Sequence, residues 1–275
     1  MTTLHQSLAK KEKIVVMLAP SFVAEYEYPL IISQLRELGF DKVVELTFGA
    51  KMINREYHRI LEENEKSASK LVIATVCPGI TNFIKTRYPQ YTKNLIRVDS
   101  PMVATAKICK KVYPKHKICF IAPCNFKKTE ASESGIIDYC LDYSELNELL
   151  KGIKIKSKKV LGFDKFYNDY TKVYPLSGGL SKTAHLKGVL KPGEEKVIDG
   201  ILEVEKFLKN PDKKVRFLDV TFCKGGCIGG PFVKSRDLVE NKRKVLKYCE
   251  CCEKIKIPKS KEGLIKKAEG IKFSY

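Results

Sequence analysis

Apolar residues along this chain come in short, continuous runs that are separated by longer segments of mixed polarity. Seven runs are predicted to be strands: 13–19, 42–48, 71–76, 95–98, 117–122, 159–163 and 215–222. Runs such as KIVVMLA and KICFIA are apolar throughout rather than alternating. Continuous apolar strands are typical of parallel sheets that are covered on both faces.

Between these runs the pattern predicts helices at 23–38 (ended by Gly39), 51–65, 102–113 and 194–208. Glu194 and Glu195 would lie in the first turn of the last helix, where the helix dipole favours acidic side chains. Residues 123–135 and 164–179 are rich in Pro, Gly, Ser, Asn and Asp and are predicted to be loops. We therefore expect an α/β fold of mostly parallel, twisted sheets with covering helices.

The length of 275 residues permits one large domain or two lobes with a sizeable core. We expect a single domain over 1–275, made of a first lobe (1–114) and a second lobe (115–275) that ends in a tail rich in cysteine and lysine. No apolar run reaches the roughly 20 residues of a membrane span, and the N-terminus lacks the apolar region of a secretory signal. A cytoplasmic protein without membrane contact is expected.

The formal net charge is +19, with lysines along the whole chain and a denser group from Lys254 onward. Such a charge suits nucleic acid, a membrane surface or an acidic protein. No nucleic-acid-binding motif is present. The charge therefore indicates a solvated lysine surface or a docking surface for an acidic electron carrier, and no nucleic-acid partner is expected.

Four of the ten cysteines fall where a parallel sheet would bring them together. Cys77, Cys124 and Cys223 each come just after a predicted strand, and Cys227 follows four residues later. Ligands of open α/β sheets gather at the carboxyl ends of the strands. Four thiolates can hold either a 4Fe-4S cluster or a structural zinc ion.

Glycines surround the last two of these cysteines in DVTFCKGGCIGG (219–230). Glycine permits positive φ angles and close approach to the backbone, which a bulky cofactor needs more than a single zinc ion does. A tight turn with two small buried cysteines is the alternative interpretation. The residues alone leave both open.

Seven short motifs together resemble the catalytic domain of the FeFe-hydrogenases, in the same order along nearly the whole chain. They are MLAPS (17–21), ELTFGA (45–50), VCPGI (76–80), VDSPM (98–102), IAPCNFKKTEAS (121–132), LSGGL (176–180) and FCKGGCIGG (222–230). The resemblance implies an H-cluster between the lobes, which is a 4Fe-4S cluster joined to a di-iron subsite with CO and CN⁻ ligands.

The resemblance also implies the residues of the site. Cys77, Cys124, Cys223 and Cys227 would hold the 4Fe-4S cluster, and Cys227 would also bridge to the di-iron subsite. Lys127 would donate to one cyanide, and Pro20 and Ser21 would form the turn beside the other. Gly178 and Gly226 match further cofactor-binding positions. Cys227, Lys127 and Ser21 are thus the predicted catalytic residues.

Several positions depart from the family pattern. A proton-relaying cysteine usually precedes the first cluster cysteine, and here that residue is Val76. Two glutamates that usually extend the relay are matched by Tyr57 and Ile60, while the neighbouring Glu56 would point about 100° away on a helix. The resemblance therefore implies an intact cofactor shell, a disrupted proton relay and slow turnover.

Electrons are expected to come from a separate protein, because no ferredoxin-like domain precedes the first strand. The expected partners are an acidic carrier such as a ferredoxin and the proteins that mature the H-cluster. The motif YCECCEK (248–254) offers a second candidate metal site at Cys249, Cys251 and Cys252, or else incidental thiols at a helix end.

Three functions remain open at this point. The first is a slow hydrogenase that interconverts protons, electrons and H₂. The second is an H₂ or redox sensor of the same fold with little turnover. The third is a relative that binds only the 4Fe-4S cluster and acts in iron–sulfur assembly.

Overall fold

A computed structural model describes residues 4–65, 71–155, 162–164, 170–250 and 267–275. The strands are β1 (Ile14–Leu18), β2 (Lys42–Glu45), β3 (Val72–Ile73), β4 (Lys117–Ala122), β5 (Tyr139–Asp142), β6 (Glu195–Asp199) and β7 (Phe217–Thr221). The α-helices are α1 (Leu4–Ala9), α2 (Leu30–Glu37), α3 (Thr47–Glu65), α4 (Pro78–Arg87), α5 (Pro101–Val112), α6 (Asn125–Ser134), α7 (Tyr143–Leu150), α8 (Gly179–Thr183), α9 (Ile201–Lys209) and α10 (Leu238–Glu250). Short 3₁₀ helices cover Pro20–Ala24, Pro89–Asn94, Tyr170–Val173 and Cys227–Gly229.

The strands form two sheets in which every pair of neighbours is parallel. One sheet has the order β2-β1-β4-β5, and the other has the order β3-β7-β6. The helices between the strands cover the sheets. This confirms the predicted α/β class.

The sheets do not divide where the two lobes were expected to meet. β1 pairs with β4 and β3 pairs with β7, so both sheets take strands from each side of residue 114. Parallel neighbours need a crossover connection and are therefore distant in sequence. The two layers of the fold are interleaved along the chain rather than consecutive.

Alternating residues of the first sheet enter two different cores. Val15 and Met17 of β1 join a central core that also contains Val72 and Phe217 from the second sheet, together with residues of α3 and α5. Ile14, Val16 and Leu18 point the other way, into the core beneath α2, α7 and α10. Because β1 is buried on both faces, its sequence is apolar at every position.

Three predicted elements differ from the structure. The helix expected at 23–38 is a 3₁₀ turn that ends at Ala24, followed by α2, which begins at Leu30. Residues 95–98 form only isolated bridges, from Leu95 and Val98, and no named strand. The loop expected at 123–135 is α6, whose C-terminal cap is Gly135 in the left-handed conformation.

The helix expected at 194–208 is a strand followed by a helix. Glu195 begins β6, and Gly200, at φ +88°, lies between β6 and α9. Glu194 accepts a hydrogen bond from the Lys191 backbone and pairs with Arg216, so it stabilises a loop rather than a first helical turn. Of the strand expected at 159–163, residues 159–161 lie outside the described residues.

Within the described ranges, every helix is too short or too polar to cross a membrane.

Candidate metal centre

The four predicted cysteines lie at the carboxyl ends of strands and at the starts of short helices. Cys77 and Cys124 occupy the positions before the first turns of α4 and α6. Cys223 follows β7, and Cys227 begins a 3₁₀ helix. The parallel topology therefore places each thiol in a connection that follows the carboxyl end of a strand.

A cavity of about 70 Å³ lies beside these cysteines, and its walls are almost entirely apolar. Cys77 and Cys227 line it, together with the predicted site residues Pro20 and Lys127. The remaining lining residues are Ala19, Leu46, Thr47, Ala50, Val76, Pro101, Met102, Phe120, Pro123, Thr171, Tyr174, Pro175 and Thr221. Two thiols and one ammonium in an apolar wall suit a metal-bound anionic group, because a buried charge is tolerated only where it is paired or coordinated to a metal.

Burial and mutual repulsion raise the pKa values of three of the four thiols. Burial is the largest cause for Cys227 and Cys223, and the pKa of Cys223 rises to about 11. Burial also raises the pKa of Cys124, although the backbone N–H groups of Lys127 and Phe126 act in the opposite direction. These three thiols therefore keep their protons near neutral pH until a metal displaces them.

The thiols are close enough to repel one another but are not gathered around a point. Cys77, Cys124 and Cys223 each raise the pKa of Cys227. Yet within the described ranges no three His, Cys, Asp or Glu side chains are placed to hold one metal ion. A structural zinc ion needs four ligands at about 2.0–2.3 Å, whereas an iron–sulfur cluster spreads its thiolates over its corners. The four thiols are the donor type that an iron–sulfur cluster uses.

The glycines around Cys227 are explained by protein packing rather than by space for a cofactor. A Cβ on Gly226 would lie 2.4 Å from the Pro175 carbonyl oxygen, and one on Gly229 would lie 2.1 Å from the Lys224 carbonyl oxygen. Gly226 also has φ +84° and is bridged to Leu176. These glycines let the cysteine loop pack against the LSGGL segment, and the Cys227 N–H donates to Pro175 at 2.7 Å.

The structure gives the two predicted donor residues defined partners. The Lys127 ammonium donates to Glu130 Oε2 at 2.5 Å and to the Val76 carbonyl at 3.3 Å. Burial lowers the pKa of Lys127, but the Glu130 carboxylate and the nearby thiols outweigh this effect and the net shift is upward. The Ser21 hydroxyl is buried and is hydrogen-bonded to the Tyr143 hydroxyl at 3.2 Å.

The positions matched to the family's proton relay are apolar or already hydrogen-bonded. Val76 lines the cavity, and Ile60 packs against the central core. Tyr57 is fully buried; its hydroxyl accepts from the Thr75 N–H at 2.8 Å and lies 3.2 Å from the Thr75 hydroxyl. Glu56 pairs with Arg59 on the surface of α3.

The other predicted site residues lie away from the cavity wall. Gly178 has φ +73° and packs against Val197, so its conformation serves the turn before α8. Cys249 is half-buried near the end of α10, whereas Cys251 and Cys252 lie outside the described residues. The second metal site therefore stays a prediction.

Sequence reasoning missed two polar residues next to the site. Tyr143 binds Ser21, and Glu130 binds Lys127. Glu130 lies three residues after Lys127, a spacing that brings side chains together on a helix. In a segment expected to be a loop, that spacing predicts no contact.

Residues 12–231 match the family described as "Iron only hydrogenase large subunit, C-terminal domain". The chain belongs to this family.

Two relatives illustrate the match. Iron hydrogenase 1 of Clostridium pasteurianum is 26% identical over 265 residues, which cover 76% of this chain and 46% of that protein. The chain thus spans about half the length of this curated relative. A structure of a variant of the FeFe-hydrogenase HydA1 from Chlamydomonas reinhardtii has a TM-score of 0.71 at 16% identity and covers 96% of this chain and 93% of that one.

A third comparison is with a structure described as revealing stepwise H-cluster assembly in HydA(deltaEFG). It has a TM-score of 0.67 at 16% identity, covering 96% of this chain and 93% of that chain. At these identities the two structures establish a common fold.

Proposed function

We propose that this protein binds an H-cluster and interconverts protons, electrons and H₂ slowly. The observation that carries the proposal is the set of four thiols beside an apolar cavity whose wall holds the Lys127 ammonium. Family membership supports the same cofactor. When bound, the cofactor would supply redox-active iron and a metal site for H₂.

The residues of this chain would hold and shield the group. Cys77, Cys124, Cys223 and Cys227 would bind the 4Fe-4S cluster as thiolates, with Cys227 shared with the di-iron subsite. Lys127 would donate to an anionic ligand on the cavity side. The apolar walls would exclude water and strengthen that hydrogen bond.

Slow turnover is proposed because Val76 and Tyr57, at positions matched to the family's proton relay, offer no free proton donor. A general acid must reach the reacting group directly or through one water. Val76 cannot donate a proton, and the Tyr57 hydroxyl is engaged with Thr75.

An acidic electron carrier is the proposed redox partner. A surface groove of about 470 Å³ is lined by Lys196, Lys206 and Lys224 and by two acids, Asp199 and Glu203, and Lys224 directly follows Cys223. Exposed Val197 lies on β6, and exposed Leu202 lies on α9. Complementary charge at this groove would steer an acidic protein toward the cluster. Proteins that insert the di-iron subsite are proposed partners as well, and the free thiols suit the reducing cytoplasm.

The test is anaerobic reconstitution with iron and sulfide, followed by loading with a synthetic di-iron precursor. We expect four irons per chain before loading, and CO and CN⁻ infrared bands that shift under H₂ afterwards. A parallel H₂-evolution assay then measures turnover. A normal 4Fe-4S signal without CO and CN⁻ bands would overturn the proposal and leave the cluster-only relative.

A sensor is the second candidate. It is favoured because Val76 packs against the central core and the Tyr57 hydroxyl is hydrogen-bonded to Thr75, so neither side chain is available to carry protons. A sensor would show the infrared response to H₂ with no measurable evolution of H₂. The cluster-only function has less support, because a bare 4Fe-4S cluster has no need of the Lys127 ammonium in the cavity wall.

A further inference from the structure

One charged pair spans the wall between the cavity and a surface groove. Lys127 is the only Lys, Arg, His, Asp or Glu among the described residues that line the cavity. Glu130 lines the groove outside, which has a volume of about 740 Å³ and is open to solvent. The Lys127 side chain is 11% exposed and that of Glu130 is 19% exposed, so the ion pair is largely removed from water.

Glu130 is the carboxylate that fixes the lysine. It lies three residues along α6, and its Oε2 is 2.5 Å from the Lys127 ammonium. Asp99, which lines the same groove, is engaged with Lys107 at 2.5 Å. The backbone carbonyl of Val76, at 3.3 Å, is the second acceptor for Lys127.

The geometry has a direct consequence for the lysine side chain. Lysine carries a compact charge on a flexible four-carbon stem, so one weak backbone contact would leave its ammonium free to take several positions. The short charge-assisted bond to Glu130 removes that freedom and also offsets the cost of burying the charge.

We propose that Glu130 is a positioning residue of the cofactor site, which holds the Lys127 ammonium at the cavity wall so that it is preorganised to donate to an anionic ligand of the bound group. The identity of that ligand rests on the proposed function. The Lys127–Glu130 contact itself does not.

The first experiment uses the protein before any metal is added. Wild type, Glu130→Gln, Glu130→Asp and Glu133→Gln are treated with an acetylating reagent, and the modification rate of Lys127 is followed by peptide mass spectrometry. Glu133 is the matched control, because it lies one turn further along α6 and lines the same groove. Losing a charge-assisted bond of this kind predicts that Glu130→Gln accelerates acetylation of Lys127 about tenfold.

Glu133→Gln should leave the Lys127 rate at the wild-type value, and Glu130→Asp should restore part of the protection. Equal rates in wild type and Glu130→Gln would overturn the proposal, as would an equal acceleration in Glu133→Gln. Thermal melting of each variant confirms that the compared proteins are folded.

The second experiment uses protein loaded with the di-iron precursor. Glu130→Gln is expected to shift the CN⁻ infrared bands while iron content and the number of CO bands stay as in wild type. A purely structural role would change the amount of cofactor rather than the band positions. Unshifted CN⁻ bands in Glu130→Gln would refute the positioning role. If no variant takes up the di-iron group, the proposed function fails, and the acetylation rates alone decide whether Glu130 holds Lys127.

Discussion

Two groups of residues in and behind the cavity wall differ in their chemistry. The first group is the thiols of Cys77 and Cys227 with the Lys127 ammonium, which are groups that can bind a metal or an anion. The second group begins at the residue next to Cys77: Val76 is apolar, and Tyr57 and Thr75 are hydrogen-bonded to each other. The first group can hold a cofactor, whereas the second offers it no free proton donor.

The groups suited to metal binding and the positions matched to the proton relay are therefore different residues of this chain. The Thr75 hydroxyl donates to the backbone carbonyls of Ile96 and Val98, at 2.9 and 3.3 Å. A hydrogen-bond chain that ends on backbone carbonyls holds the backbone in place but has no titratable end. The cavity wall therefore holds two thiols and an ammonium beside a position, Val76, that has no titratable side chain.

The largest expected effect comes from removing one of the four predicted thiolate ligands. Cys223→Ala should reduce iron incorporation after anaerobic reconstitution to less than about half of the wild-type value, because a 4Fe-4S cluster needs all four thiolates for stable binding. Iron and sulfide analysis with electron paramagnetic resonance measures the loss. Cys140→Ala is the control, since Cys140 lies on β5 and is not one of the four predicted ligands. Equal loss in both variants would show that a general defect, rather than ligation, is responsible.

The next effect comes from adding a proton donor at position 76. Val76→Cys places a proton donor in the cavity wall and should raise H₂ evolution by the loaded protein about 100-fold, which is within the range of general acid catalysis. Val76→Ala enlarges the cavity without adding a donor and should not raise the rate. If Val76→Cys and Val76→Ala evolve H₂ at the same rate, proton delivery at this position is not the limiting step.

The sequence was sufficient to predict the cysteines at the strand ends, but it was insufficient to predict much of the structure around them. Strands that are apolar at every position identified the parallel sheets, and Cys77, Cys124 and Cys223 at strand ends followed from that topology. Local composition misled where tertiary contacts decide. The segment that begins at Cys124 contains turn-forming residues, yet it forms α6 with Gly135 as its cap.

The interleaving of the sheets was also beyond local patterns. Nothing within a single strand states that β1 pairs with β4 or β3 with β7, because such pairing depends on crossovers of many residues. The contacts of Gly226 and Gly229 with backbone carbonyls have the same origin in the folded loop. A glycine-rich motif shows that something approaches closely, but only the structure shows that it is protein.

A third effect concerns a buried acid, Asp219, which is close enough to Tyr57 to add to burial in raising the pKa of the Tyr57 hydroxyl. Asp219 of β7 is 2% exposed, and burial raises its pKa to about 6 from 3.8. Folded Asp219 therefore keeps its proton between about pH 4 and 6 while the unfolded chain has lost it, so its contribution to stability falls as pH rises through this window. Compared with Asp219→Asn, the wild-type free energy of unfolding should fall by about 2.4 kcal/mol between pH 4 and pH 7.

Urea unfolding of the wild type and Asp219→Asn at several pH values measures that difference, because contributions from other groups cancel in the comparison. The asparagine can still accept the bond from the Ser181 N–H that Asp219 accepts at 3.0 Å. A difference that does not change with pH would mean that Asp219 is ionised in the folded protein throughout this range.

The smallest expected effect tests whether Tyr57 is structural. Tyr57→Phe removes the acceptor of the buried Thr75 N–H and should lower the free energy of unfolding by about 2 kcal/mol, which is the cost of an unsatisfied buried donor. It should leave H₂ evolution by the loaded protein unchanged. Tyr139→Phe is the matched control, because the Tyr139 hydroxyl bonds to Ser7 at a part-buried site and its loss should cost less. A tenfold loss of turnover in Tyr57→Phe, at unchanged iron content, would instead show that the Tyr57–Thr75 pair carries protons to the cofactor.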